Sequence, residues 1–206
     1  MNVLDFVPES LLPAIWIIAA YLLGSVSFGI LISKVFGLAD PRTVGSGNPG
    51  ATNVLRSGKK SAALFTLLGD AFKGWLPVWL ALWVNAPVWV VSLVGIAVFL
   101  GHLYPIYFKF KGGKGVATAL GVMVAISPWL ALAAAAVWGV VFFFSRYASL
   151  ASIIAAIASP IATYLLLPHA AKYVLMVFVL SAMLVWRHRS NIQKLLAGTE
   201  SGFGKK

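Results

Sequence analysis

The chain has 206 residues, a formal net charge of +11 and 61% hydrophobic residues, but only 10% of its residues are charged and none is cysteine. Because a soluble domain carries about a quarter charged residues, this composition excludes a disordered chain and argues against an ordinary water-soluble domain. The lack of cysteine excludes a disulfide scaffold and any zinc or iron–sulfur site built on cysteine.

Apolar stretches follow one another along almost the whole chain, several of them close to the 20 or so residues that a transmembrane helix needs. We predict an all-α integral membrane protein, a single polytopic domain over residues 1–206 with seven transmembrane helices. The predicted spans are 12–36, 62–84, 88–104, 116–127, 129–144, 150–167 and 171–186. The fourth stretch has only 12 residues, so its length alone would not identify it as a span.

The distribution of positive charge favours seven spans, because Lys and Arg collect on the cytoplasmic side of membrane proteins with short loops. With seven spans, 14 of the 16 Lys and Arg residues share one side, Lys172 lies opposite and Lys73 lies within a span. With six, Arg146 and the basic C-terminal segment would move outside. We therefore predict an external N-terminus and a cytoplasmic C-terminus. The 14 residues are Lys34, Arg42, Arg56, Lys59, Lys60, Lys109, Lys111, Lys114, Arg146, Arg187, Arg189, Lys194, Lys205 and Lys206.

The first polar loop on that side, residues 45–53, reads GSGNPGATN and is followed by Arg56. Its three glycines allow consecutive backbone N–H groups to face one concavity, which suits a phosphate. Ser46, Thr52 and Asn53 add side-chain donors, and Arg56 offers a planar fork for phosphate oxygens. The alternative is a solvated turn rich in turn-forming residues. No Walker A pattern occurs in the chain.

The second polar segment contains Lys114 between glycines, in the run FKFKGGKGVAT of residues 108–118. Glycines beside a lysine just before a helix allow the backbone and the ammonium group to converge on one anion. An ordinary positive-inside loop accounts for Lys109 and Lys111, but not for three glycines around one lysine. We interpret His102, at the end of an apolar run, as a hydrogen-bonded structural histidine.

The third polar segment, RHRSNI at residues 187–192, leaves the last predicted span. Spacings of three and four residues predict that Arg187, His188 and Asn191 share one helical face. His188 has the side chain that binds protons near neutral pH. The alternative for Arg189 is a membrane-surface anchor.

Two further features lie elsewhere in the chain. Asp70 and Lys73 are three residues apart inside a predicted span, where unpaired charges are costly, so we expect them to pair. Ser149 and Ser152 lie just inside another span, on the side of the three polar segments, where they also suit helix packing.

All three polar segments fall on one predicted side, and the chain contains only five Asp and Glu residues. This indicates a site for anions at the cytoplasmic membrane face. The basic residues flank the membrane, which argues against nucleic acid as a partner. An enzyme acting on anionic substrates and a transporter of phosphate or an organic phosphate both fit. Transporters usually bind near the bilayer midplane between repeated halves, and no repeat is visible here.

Three motifs in this order resemble the signatures of the PlsY family: GSGNPGATNVLR at 45–56, GHLYP at 101–105 with FKGGKGVAT at 110–118, and RHRSNI at 187–192. The resemblance covers nearly the whole chain. It implies a bacterial multi-pass cell-membrane enzyme with seven transmembrane helices and an active site facing the cytoplasm. Such enzymes move a fatty acyl group from acyl phosphate to the 1-hydroxyl of glycerol 3-phosphate, giving lysophosphatidic acid and phosphate. They need no metal and no organic cofactor.

The resemblance also implies roles for individual residues. The catalytic set is Ser46, Arg56, Lys114, Ser152, His188 and Asn191. The substrate-binding set is Gly47, Asn48, Gly50, Ala51, Thr52, Asn53, Gly112, Gly113 and Gly115. In this interpretation Ser46 and residues 47–53 hold the donor phosphate, and the other catalytic residues hold glycerol 3-phosphate.

Two points stay open within that resemblance. The base that takes the hydroxyl proton is either His188 or the donor's own phosphate. A soluble enzyme that makes acyl phosphate is a candidate partner at the basic loops, in addition to membrane lipid. We expect the acyl chain to lie in a groove between helices, lined by residues such as Trp75, Trp79 and Phe99.

Overall fold

The structure is a computed structural model that describes residues 11–203, so the predicted external N-terminus, Lys205 and Lys206 lie outside the described residues. Within that range the chain forms ten α-helices, one 3₁₀ helix (Ile106–Phe108) and no β-strand, which confirms the predicted all-α fold class for this part. The α-helices are α1 (Leu12–Gly24), α2 (Phe28–Val35), α3 (Ala51–Leu55), α4 (Lys60–Trp83), α5 (Val88–Leu103), α6 (Val116–Ile126), α7 (Pro128–Ser145), α8 (Ala148–Leu166), α9 (Ala171–Arg187) and α10 (Arg189–Leu196).

Three of the described helical segments are long and apolar enough to cross a membrane, Val88–Phe108, Pro128–Ser145 and Ala148–Leu166. Counting each of two bent helix pairs as one crossing brings the number to five. Helix α4 has 24 residues but contains three charged side chains, Lys60, Asp70 and Lys73, and α6 has only 11 residues. Helix length and composition alone therefore do not give seven spans, and that prediction rests also on the distribution of Lys and Arg along the chain.

The first predicted span is not one straight helix, because the chain bends by 42° between α1 and α2. At the break, Ser25 Oγ donates a hydrogen bond to Tyr21 O at 2.9 Å. Lys73 Nζ, from α4, donates to the free carbonyl of Val26. A broken helix inside a membrane leaves backbone groups that need partners, and Lys73 supplies one for the carbonyl of Val26.

The predicted pair inside α4 is confirmed. Lys73 Nζ lies 2.8 Å from Asp70 Oδ1, and both side chains are buried. His102 Nδ1, at the end of α5, lies 3.1 Å from Thr118 Oγ1 of α6, which confirms the interpretation of a hydrogen-bonded histidine. This polar cluster joins three helices beneath the polar loops.

Helix α4 packs along α6, and α7 packs along α8. A groove remains between these two pairs of helices. Helix α6 meets α7 at a single extended residue, Ser127, and α9 packs against α8 and α5. The polar loops lie at one end of this groove.

Candidate active site

A cavity of about 320 Å³ opens where the three polar segments meet. All three contribute to its wall, together with α4, α6, α7, α8 and the C-terminal segment. Its wall is polar where the loops converge and apolar between the helices. This arrangement can hold a charged headgroup and an alkyl chain in one continuous space.

The first polar loop is shaped from within by Asn53, which is buried. Asn53 Oδ1 accepts a hydrogen bond from the Ser46 backbone N–H at 2.8 Å, and Nδ2 donates to Pro41 O and Val44 O at 2.7 and 3.0 Å. Gly45 has a φ of +57°, and a Cβ there would meet Asn53 Oδ1 at 2.3 Å. The Asn53 amide thus holds the loop, while the exposed Ser46 side chain lines the cavity.

The glycines of the second segment allow the loop to lie directly on the end of α5. A Cβ at Gly112 would meet His102 O at 2.1 Å, and one at Gly113 would meet His102 Nε2 at 2.2 Å. Arg187 fixes the same loop by donating to Gly113 O at 3.1 Å and Gly112 O at 2.8 Å. This close packing directs Lys114 toward the cavity.

Lys114 is the central cation of the cavity. Its Nζ donates to Asn191 Oδ1, and Asn191 Nδ2 donates to Glu200 Oε1 at 2.7 Å. Burial, opposed by the nearby Glu200 carboxylate, lowers the pKa of Lys114 to about 8. The ammonium group is therefore still mostly charged at neutral pH.

The C-terminal segment closes over the polar end of the cavity. Glu200 Oε1 also accepts from Ser149 Oγ at 2.5 Å, and Arg56 donates to Ser201 O at 3.2 Å. Phe203 packs edge-on against Phe142, with ring centroids 5.5 Å apart. We call residues 197–203 the C-terminal strap. It brings a carboxylate among the cationic groups of the site.

The expectation that Arg187, His188 and Asn191 share one helical face is wrong, because the chain bends by 55° between α9 and α10. His188 lies at that bend with its Nδ1 2.8 Å from Leu184 O, so Nδ1 carries the proton and donates. Arg187 turns to the glycine loop, whereas His188 and Asn191 line the cavity. Burial lowers the pKa of His188 to about 4, so the ring is neutral at pH 7 with Nε2 unprotonated.

Ser152 lies one turn inside α8, where it is buried. Its Oγ donates to Ala148 O at 2.8 Å and accepts from Trp138 Nε1 at 3.1 Å. Because its one proton is engaged, the hydroxyl can only accept a further hydrogen bond in this arrangement.

The apolar part of the cavity lies between α6 on one side and α7 and α8 on the other. It includes Leu67, Leu120, Met123, Ala134, Ala135, Ala155, Ala156 and Ser159. The expected groove residues Trp75, Trp79 and Phe99 are not among the lining residues. Phe99 is fully buried in the core, and Trp75 and Trp79 stack on each other along α4, away from the cavity.

A second cavity of about 300 Å³ adjoins the first and shares Ser46, Asn48 and Lys114 with it. Its remaining lining residues are Gly47, Gly112, Arg187, Arg189, Ser190 and Gln193. Two arginines and a lysine make it an attractive place for an anion.

The structure brings together most of the residues singled out in the sequence. Those that line the main cavity are Ser46, Asn48, Gly50, Ala51, Thr52, Asn53, Arg56, Lys114, Gly115, Ser152, His188 and Asn191. Gly47 and Gly112 line only the second cavity, and Gly113 lines neither. Among the described residues, no group of three or more His, Asp or Glu side chains could hold a metal ion.

Sequence reasoning missed the contributions of Glu200 and Trp138, and it missed how Arg187 supports the glycine loop. Glu200 is the only acidic residue in the basic segment after the last predicted span, which was the one available signal. Its contact with Ser149 joins residues 51 positions apart, which periodicity does not reveal.

The chain matches the family model described as glycerol-3-phosphate acyltransferase over residues 14–198. It is 67% identical over 193 residues to the glycerol-3-phosphate acyltransferase of Methylobacillus flagellatus, covering 94% of this chain and 98% of that protein. It is 56% identical over 191 residues to that of Burkholderia orbicola, covering 92% of each.

Two solved structures of PlsY (YgiH), an integral membrane glycerol 3-phosphate acyltransferase, share the fold. The glycerol 3-phosphate form has a TM-score of 0.89 and 44% identity, covering 93% of this chain and 96% of that one. The lysophosphatidic acid form has a TM-score of 0.87 and 42% identity, covering 93% and 95%. This chain therefore belongs to the PlsY family of integral membrane glycerol-3-phosphate acyltransferases.

Proposed function

We propose that this protein transfers a fatty acyl group from acyl phosphate to the 1-hydroxyl of glycerol 3-phosphate, giving lysophosphatidic acid and phosphate. The observation that carries this proposal is the continuity of the cavity, which joins Lys114 and Arg56 at one end to an apolar groove at the other. Glycerol 3-phosphate and lysophosphatidic acid are named with the two solved relatives, which supports both acceptor and product. None of the comparisons supports the transporter alternative.

The acceptor phosphate binds, in this proposal, beside Lys114, Arg56 and Asn191. An ammonium group and a guanidinium fork together neutralise a phosphate dianion through charge-assisted hydrogen bonds. The carboxylate of Glu200 already lies against Asn191, so the arriving phosphate must share or displace that contact.

The donor phosphate binds at the wall shared by the two cavities, against Ser46, Asn48 and Lys114. The fatty chain then extends into the apolar groove. Arg187 and Arg189 in the second cavity stabilise the phosphate as it leaves toward the aqueous side. Both substrates are anions, so positive charge between them lowers their mutual repulsion and allows the reacting atoms to meet.

In the reaction, the 1-hydroxyl oxygen attacks the carbonyl carbon of acyl phosphate, and the bond from that carbon to the phosphate oxygen breaks. The hydroxyl proton goes to the leaving phosphate. Burial lowers the pKa of His188 to about 4, which favours the leaving phosphate over the imidazole ring as the proton acceptor. Its Nε2 instead accepts a hydrogen bond from the hydroxyl and orients the oxygen for attack.

We also propose seven membrane spans, with the polar loops and the site on the cytoplasmic face of a bacterial cell membrane and the N-terminus outside. The buried Asp70–Lys73 pair supports a spanning α4, because paired charges are tolerated where single ones are not. The charge distribution supports the orientation.

The experiment is an assay of the purified protein in detergent with glycerol 3-phosphate and, side by side, palmitoyl phosphate and palmitoyl-CoA. We expect lysophosphatidic acid to form from palmitoyl phosphate and not from palmitoyl-CoA. Equal rates with both donors would overturn the choice of donor, and a protein that forms no lysophosphatidic acid from either would overturn the proposed activity.

A further inference from the structure

We propose that the closed end of the apolar groove sets the preferred acyl-chain length, with Met123, Ala134 and Ser159 as the residues that set the limit. This inference rests on the proposed acyl transfer and adds to it which residues select among donors.

On each of three helices, one of these residues is the groove-lining residue farthest from the polar end, and all three are buried. Measured from the polar end, Met123 lies seven residues beyond Val116 on α6, and Ser159 lies seven beyond Ser152 on α8. Seven helical residues rise by about 10 Å. Ala134 lies four residues beyond Trp138 on α7, which runs in the opposite direction. Trp138 marks the polar end there, since it bonds Ser152.

The groove ends before the turn between α6 and α7. Helix α6 has 11 residues, and the chain reverses at Ser127, which is buried, before α7 begins at Pro128. Toward this turn, Leu130 and Ala131 of α7 are buried and line neither cavity. The packed residues near the turn therefore close the inner end of the groove.

Small side chains near this end leave the space that the chain terminus needs. Ala134, Ala155 and Ala156 line the groove with single methyl groups, whereas Met123 is the largest side chain at its end. Replacing an alanine here by leucine shortens the groove, and replacing Met123 by alanine lengthens it. One methylene in a closely fitting apolar pocket is worth about 10- to 200-fold in kcat/KM.

The experiment measures kcat/KM for lauroyl, palmitoyl and stearoyl phosphate in four variants. Ala134→Leu should lower the stearoyl-to-lauroyl ratio by about tenfold or more, and Met123→Ala should raise it. Ala136→Leu is the matched control for the first, because Ala136 is exposed on the same helix and outside the groove. Met176→Ala is the control for the second, because Met176 is buried in the core away from the groove.

Ratios that stay at the wild-type value in both Ala134→Leu and Met123→Ala would overturn the inference while leaving the acyl transfer intact. Equal shifts in a variant and its control would also overturn it, because they would trace the change to general destabilisation. If Ala134→Leu does not fold, Met123→Ala and its control decide the question. The wild-type rate with palmitoyl phosphate tests the proposed activity separately.

Discussion

Lys114 combines three properties at the scale of one residue. It is tied to Asn191, it faces both cavities, and its pKa is about 8. A lysine with a lowered pKa binds anions well only on the acidic side of that value. The charge of Lys114 therefore changes within the pH range in which the protein can be assayed.

The first prediction concerns the two cations proposed to hold the acceptor. Lys114→Ala and Arg56→Ala should each raise the KM for glycerol 3-phosphate by about 10- to 100-fold, because a hydrogen bond to a charged group contributes about 1.5–3 kcal/mol. Lys109→Ala is the control, since Lys109 is exposed and lines neither cavity. Steady-state kinetics would measure all three. Similar effects at all three positions would show that the loops provide only a diffuse positive surface.

The second prediction concerns pH. Above pH 8, kcat/KM for glycerol 3-phosphate should fall about tenfold per pH unit, because Lys114 loses its proton while the substrate phosphate stays a dianion. Lys114→Arg should remove this decrease in kcat/KM, since arginine stays charged. Glu200→Gln should make the decrease begin at lower pH, because the carboxylate raises the pKa of Lys114. If the decrease is unchanged in Lys114→Arg, a group other than Lys114 causes it.

The site residues that could be predicted are those whose side-chain type and sequence neighbours already indicate anion binding. Ser46, Arg56 and Lys114 stand in or beside polar, glycine-rich loops, and their hydroxyl, guanidinium and ammonium groups can each bind an anion. The internal bonds of Asn53 and the contact from Glu200 depend on how distant segments meet. A linear pattern contains no information about such contacts.

At the scale of helices, the polar cluster beneath the loops links a broken helix to its neighbours. Lys73 contacts both Asp70 on its own helix and the free carbonyl of Val26 between α1 and α2. Removing one partner of a buried ion pair is costly because the other charge remains in an apolar environment.

The third prediction follows from that pair. Asp70→Asn should lower the free energy of unfolding by about 3–5 kcal/mol. The double variant Asp70→Asn with Lys73→Met should recover part of the loss, because no unpaired charge is left. Thermal unfolding in one detergent would compare the two with the wild type. Equal loss of stability in both would show that the unpaired ammonium is not the cause.

The apolar stretches predicted where helices form, but not where they bend. The bend at residues 25–27 relies on Lys73, and the bend at His188 relies on the Leu184 carbonyl. Neither bend contains a proline, but the first follows Gly24-Ser25, a pair that can mark a kink. The bend at His188 has no such local signal in the sequence, so it could not be predicted.

At the scale of the whole molecule, the number of spans and their orientation stay a prediction that one labelling experiment can test. The chain has no cysteine, so single cysteines can be introduced without background. Ser57, Lys111 and Lys194 are exposed near the three polar segments, and Lys172 is exposed at the opposite end of α9.

The fourth prediction is the labelling pattern. A membrane-impermeant thiol reagent applied from outside should label Lys172→Cys in cells whose inner membrane is intact. It should label Ser57→Cys, Lys111→Cys and Lys194→Cys only after that membrane is made permeable. If these three positions fell on different sides, the polar segments could not form a common site.

The apolar groove has a practical consequence for work with the purified protein. Leu67 and Ala135 line the groove and are exposed at its side, so the groove communicates with the surrounding hydrocarbon. Any molecule with a single alkyl tail and a small polar head can enter from there, and the surfactants used for extraction have this shape. They should act as competitors of the donor, so the apparent donor affinity should depend on surfactant tail length and concentration.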